Sequence, residues 1–120
     1  MVAHLDRGLA DREIAVQRID RQAEWLEVTL GARLAAFAAG IGVRDLVRIA
    51  HREEAPQPDA ERRLRNVFAV ASLLAERDGA GSAYSWLTMP NDECDGHAPA
   101  ELLHDGQAPE MVWLAAAPPF

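Results

Sequence analysis

Residues 86–106 read Trp86-Leu87-Thr88-Met89-Pro90-Asn91-Asp92-Glu93-Cys94-Asp95-Gly96-His97-Ala98-Pro99-Ala100-Glu101-Leu102-Leu103-His104-Asp105-Gly106. A Trp-Leu pair ends a short apolar segment, Pro90-Asn91 breaks it, and a polar loop follows. A new helix starts at Pro99 and stops at Gly106. Proline fixes φ and suits the first turn of a helix, while Gly106 can take the left-handed conformation that closes one.

Upstream, Leu64, Val67, Phe68, Ala71 and Leu74 form an i, i+3, i+4, i+7 series that predicts a central core helix from Ala60 to about Asp78. Pro56 and Pro58 prevent a helix from running into it, and Asp59 is expected to cap it. Gly79-Ala80-Gly81 ends it, and Ser82 can cap a short helix through Leu87 that carries Tyr84 and Trp86. Downstream, Pro109 starts a last helix through Ala117, closed by Pro118-Pro119-Phe120.

Further towards the N-terminus, a small-residue-rich helix from Leu30, a turn containing Gly40 and Gly42, and a second helix over Val43–Arg52 make a helix-turn-helix pattern. Arg44, Arg48, His51 and Arg52 fall at i, i+4, i+7 and i+8, on one face, where such a motif would meet DNA. Leu46, Val47, Ile49 and Ala50 supply the inward face. Before this lies an amphipathic helix from about Asp11 to Leu30, with Ile14, Ile19, Leu26 and Leu30 in phase and Trp25 and Val28 widening the apolar stripe. Its apolar face can pack on the body of the domain or on a second copy. No strand pattern occurs, so the expected fold is all-α with six or seven short helices. Its regions are an N-terminal helix (1–29), a helix-turn-helix-like part (30–65) and a C-terminal domain (66–120).

The 120 residues, 49% hydrophobic, suffice for one core, and no run of about 18 apolar residues predicts a membrane span. The first residues do not read as a signal peptide, and the single Cys94 excludes an internal disulfide, so a cytoplasmic protein is expected. Every basic residue is arginine. Residues 1–32 hold four arginines against six acids, residues 33–65 seven against five, and residues 66–120 one against eight. Only the middle of the chain carries excess positive charge. The acidic C-terminal third favours a basic partner over nucleic acid.

The succession Trp86-Leu87, Asn91, Gly96 and Pro99-Ala100-Glu101-Leu102-Leu103-His104-Asp105-Gly106 resembles the C-terminal domain of the Xre/MbcA/ParS-type antitoxins. That domain carries a tryptophan-leucine helix end, an asparagine, a glycine and a Pro-x-x-Leu-Leu-x-x-Gly helix in this order. Cys94 stands where an aliphatic residue is usual. A second match covers the Xre-like half: Leu30-Gly31-Ala32-Arg33-Leu34, then Arg44 with Arg48, Pro56 with Pro58, and Arg63-Leu64-Arg65. Here Ile49 and Arg52 stand near positions that commonly hold Trp and Gly, and Glu53-Glu54 follow. Carboxylates beside a phosphate-facing surface cost affinity.

The resemblance spans roughly residues 30–117 and implies an antitoxin. Its partner would be a RES-domain toxin, an NAD-consuming enzyme inhibited by the antitoxin's C-terminal segment. Operator DNA would be a second partner, and the assembly a homodimer or higher oligomer. Met111, Val112, Trp113 and Phe120 are the candidate toxin-binding residues; Leu114 is a further apolar anchor of the same tail. A stand-alone helix-turn-helix regulator with a C-terminal dimerisation module remains open, as does an adaptor without DNA binding.

No enzyme is expected and no cofactor is implied. The histidines His4, His51, His97 and His104 show no metal-ligand spacing, and the loop acids Asp92, Glu93 and Asp95 lack the calcium-loop pattern. Cys94 with His97 lacks an orienting third group for nucleophilic chemistry.

Overall fold

Alanines set the spacing of the first half of the molecule. A computed structural model describes residues 18–107 and Leu114. Among these residues the chain forms α1 (Ile19–Leu30), α2 (Ala32–Ala39), α3 (Val43–Ala50), α4 (Pro58–Asp78), α5 (Ala80–Thr88), a 3-10 turn (Asp92–Cys94) and α6 (Pro99–His104). The fold is all-α, with no strand among the described residues. Ala35, Ala36, Ala38 and Ala39 are all buried, which lets α2 lie close against α3 and α6. Helix α1 packs on α3 and α4, and α5 folds back on α4.

The long helix α4 is the pillar of this arrangement. Leu64, Val67, Ala71 and Leu74 are buried as their spacing predicts, Val70 joins them, and Phe68 is partly buried with the edge of its ring against Trp25 of α1 (centroids 5.3 Å apart, planes at 74°). Leu46, Ile49 and Ala50 are the buried face of α3. Each fully buried leucine or isoleucine contributes about 1.5–3 kcal/mol of transfer free energy.

Several local expectations are corrected. Asp59 does not cap α4: the helix begins two residues earlier, with Gln57 at the N-cap and Pro58 in the first turn. Proline needs no amide partner there, so the helix gains two residues, and Asp59, inside it, pairs with Arg62 and Arg63 instead. Ser82 likewise lies inside α5, its hydroxyl donating to the Asp78 carbonyl, while Gly79 (φ +96°) alone separates α4 from α5. Val28 is 81% exposed and does not belong to the apolar stripe of α1; Gln22 and Ala23 take the buried positions. Residues 11–17 of the expected first helix lie outside the described residues. So does the last helix apart from Leu114, which is helical and packs on the core.

Three helices end in the same way. In α2, Ile41 N–H donates to Ala36 O and Gly40 N–H to Phe37 O; in α6, Gln107 donates to Leu102 O and Gly106 to Leu103 O. In α3, Glu53 donates to Arg48 O and Arg52 to Ile49 O. This paired closure requires a left-handed residue, and Gly40 (φ +69°) and Gly106 (φ +91°) supply it without strain. At the end of α3 an arginine occupies that position, Arg52 at φ +63°.

Candidate functional site

The loop between α5 and α6 is organised by Asn91. Its carbonyl accepts from Cys94 and Gly96, its amide donates to the carbonyl of His97, and its side-chain oxygen accepts from the Glu93 amide at 2.9 Å. Gly96 (φ +82°) and Asp95 (φ +55°) turn the chain back towards α6. There Pro99 opens the helix, and Glu101 reaches back to accept from the Ala98 amide at 3.2 Å. Leu87, Cys94, Pro99, Ala100 and Leu103 are buried beneath this turn. Asn91, Gly96, Pro99 and Glu101 are thus used in closing the chain on itself.

Cys94 packs as an apolar group, 2% exposed. Burial, with the nearby charges of Glu93 and Asp95, pushes its thiol above the ordinary value, the opposite of what a nucleophilic cysteine needs. His97 does not turn to it; its Nδ1 lies 3.5 Å from Glu101 Oε1. Among the described residues no three His, Cys, Asp or Glu side chains converge as metal ligands. The loop exposes Asp92, Glu93 and Asp95 and is an acidic surface on a hydrogen-bonded frame.

The four residues read as DNA-facing are all exposed, but they are not equivalent. Arg44 has no ion pair among the described residues. Arg48 Nη1 lies 3.9 Å from Glu54 Oε1, and His51 Nε2 is 3.7 Å from Glu27 Oε1. Arg52 has left the helix and its Nε reaches Asp20 Oδ2 on α1 at 2.5 Å, where Arg18 also binds at 3.3 Å. Partial burial acts to raise the Asp20 carboxyl, but the hydrogen bonds from Arg18 and Arg52 outweigh it and hold it below the ordinary value. An open groove lined by Arg18, Asp20, Ile49, Arg52 and Pro56 lies beside this pair. Spacing along one helix could not reveal these acids, since Asp20 and Glu27 come from α1.

A second cluster was not singled out by the sequence. Arg63 of α4 donates from Nη1 to the carbonyl of His104 at 2.8 Å and pairs through Nε with Asp59. The His104 ring stacks on Phe37 of α2, centroids 4.5 Å apart and planes within 8°, and its Nδ1 lies 2.7 Å from the Phe37 carbonyl oxygen. Nδ1 therefore carries the proton and donates. The signal in the sequence was the pair of glycines, Gly40 and Gly106, that ends the two helices meeting here.

Met111, Val112, Trp113 and Phe120, the candidate toxin-binding residues, lie outside the described residues. No family model, curated protein or solved structure matches this chain. No helix among the described residues is long and apolar enough to cross a membrane.

Proposed function

We propose that this chain is a non-enzymatic inhibitor of the antitoxin kind, which binds a RES-domain, NAD-degrading toxin through the segment that follows Gly106. The observation that carries the reading is the structural use of Asn91, Gly96, Pro99 and Leu103 in the turn between Trp86 and Gly106. Asn91, Gly96, Pro99 and Leu103 build a frame, and the one thiol in it is buried with a raised pKa. Such a frame serves by presenting what comes next. Its exposed acids Asp92, Glu93 and Asp95 add electrostatic attraction towards a basic cleft.

Leu114 packs on the protein's own core. Met111, Val112, Trp113 and Phe120 remain the proposed contacts with the toxin. The test is co-purification of the full chain, and of a chain ending at Gly106, with the RES-domain product of a neighbouring gene. The full chain should retain that protein and suppress its NAD consumption, and the shortened chain should not. Retention by both chains would remove the C-terminal segment from the proposal.

Repression of the operon through α2 and α3, as a homodimer or higher oligomer, is the second half of the proposal. Arg44 is its first candidate contact. A second reading, an adaptor that does not bind DNA, is favoured by one specific observation: Arg48, His51 and Arg52 each face a carboxylate. Retention of upstream DNA at low salt decides between them. Repression predicts a shift that Arg44→Ala weakens, while the adaptor predicts none.

A further inference from the structure

The basic side of α3 is covered from two directions. Glu27 of α1 brings Oε1 to 3.7 Å from His51 Nε2, and Glu54, in the loop after α3, brings Oε1 to 3.9 Å from Arg48 Nη1. Asp20, at the start of α1, takes Arg52. The acids of α1 sit deeper than their partners: the side chains of Asp20 and Glu27 are 19% and 26% exposed, against 63% and 58% for Arg52 and His51. Packing of α1 on α3 therefore fixes these carboxylates behind the outward cations. Arg44, at the other end of α3, has no ion pair among the described residues, and Asp45 of the same turn lies by Gly42. The cover is thus graded along the helix, closed at its last turn and open at its first.

A helix in the major groove is held largely by cations on phosphate oxygens, and a guanidinium already neutralised by a carboxylate gains less from meeting phosphate. A carboxylate held this close to the cation also repels the incoming phosphate. We propose that Glu27 and Glu54 form an intramolecular screen that suppresses binding of duplex DNA to α3, with α1 as one of its carriers. This rests on the reading of α2 and α3 as a helix-turn-helix. Cations spaced along one face of α3 and acids set against them from outside that helix then have a single explanation: the face suits phosphate, and the chain itself keeps it in a low-affinity state. Arg48 can serve Glu54 or a phosphate, not both fully. Asp20 differs, because with Arg52 it holds the closure of α3 and belongs to the fold.

The test is Glu27→Gln with Glu54→Gln in the full chain, assayed for binding to a random-sequence DNA duplex over a range of salt concentrations. A random duplex suffices because phosphate contacts carry no sequence information. The double variant should bind about tenfold more tightly than the parent at low salt. Its affinity should also fall more steeply with salt, by about 0.9 in the logarithmic slope for each phosphate newly engaged. Glu54→Gln alone, which alters no helix, should give part of the gain, and Arg48→Ala added to the double variant should cancel most of it. Asp92→Asn with Glu93→Gln removes the same charge from the loop before α6, and should gain less than about twofold. An equal gain in that control overturns the proposal in favour of net charge, and a double variant that binds no better than the parent overturns it outright. The helix-turn-helix reading is judged by the parent on its upstream DNA. A shift that Arg44→Ala weakens, with no gain in the double variant, leaves that reading standing and removes only the screen; absence of binding by parent and double variant alike removes both.

Discussion

Arg52 shows how much a single residue can depend on contacts that its neighbours in sequence do not reveal. It occupies the left-handed position that closes α3, where a non-glycine residue costs about 1–2 kcal/mol, and the contact with Asp20 offsets that strain. Arg52→Gly removes both effects, so its stability should stay within about 1 kcal/mol of the parent, whereas Asp20→Asn removes only the compensation and should destabilise. Urea midpoints separate the two; equal losses would show that the strain is carried elsewhere. Gly40 gives the reverse case. Gly40→Ala places a Cβ at φ +69° and against Arg63 Nη1, and should cost about 1–3 kcal/mol, read from the same urea transition. Cys94→Ser puts a hydroxyl into a site 2% exposed that suits an apolar group, and a loss of about 1–3 kcal/mol is expected by thermal or urea unfolding.

At the scale of elements, α1 and the end of α3 are tied by their buried leucines and by the Asp20–Arg52 pair. The folded-state pKa of Asp20 is lowered, so the unfolded chain binds the proton more tightly, and the carboxylate's contribution is complete above the ordinary aspartate value of about 4. It is lost as pH falls through the lower folded-state value. The stability difference between the parent and Asp20→Asn should therefore be constant near neutrality and shrink on acidification below about pH 4, followed by unfolding at fixed temperature. Leu46→Ala, in the same pair of helices, should cost about 2–5 kcal/mol at every pH, because it leaves a cavity and no titrating group.

Helix periodicity made α3 and α4 legible: Leu46 and Ile49, and Leu64 through Leu74, are buried as spaced. Proline and glycine marked the boundaries of α6 for the same local reasons that operate in the fold. The cap assignments of Asp59 and Ser82 failed because a favourable cap residue competes with a proline or glycine beside it that can start the helix earlier. Val28 failed because phase alone does not say which flank of an apolar stripe meets a neighbour. Glu54, which faces Arg48, was legible as an acid beside the arginines; the carboxylates facing His51 and Arg52 and the Arg63 junction were not, since each joins helices whose relative placement no local pattern encodes.

For the molecule as a whole, charge and frame are separated along the chain. The arginine-rich middle is largely neutralised by its own acids, while the loop of Asp92, Glu93 and Asp95 faces outward. Association with a basic partner should therefore be faster at low ionic strength, and Asp92→Asn with Glu93→Gln should flatten that dependence in stopped-flow measurements. An unchanged salt slope would assign the attraction to another surface.

The burial of Cys94 also makes the molecule its own recorder. As the only thiol in the chain, and one enclosed under the Asn91 turn, it can be alkylated only when that turn opens. The rate of labelling by a small reagent in excess is thus a clock for breathing of the segment from Trp86 to Gly106, requiring no engineered probe. A ligand that clamps this segment would slow the clock without touching the sulfur, while cysteines introduced elsewhere for dyes would react first and leave the native one unmarked.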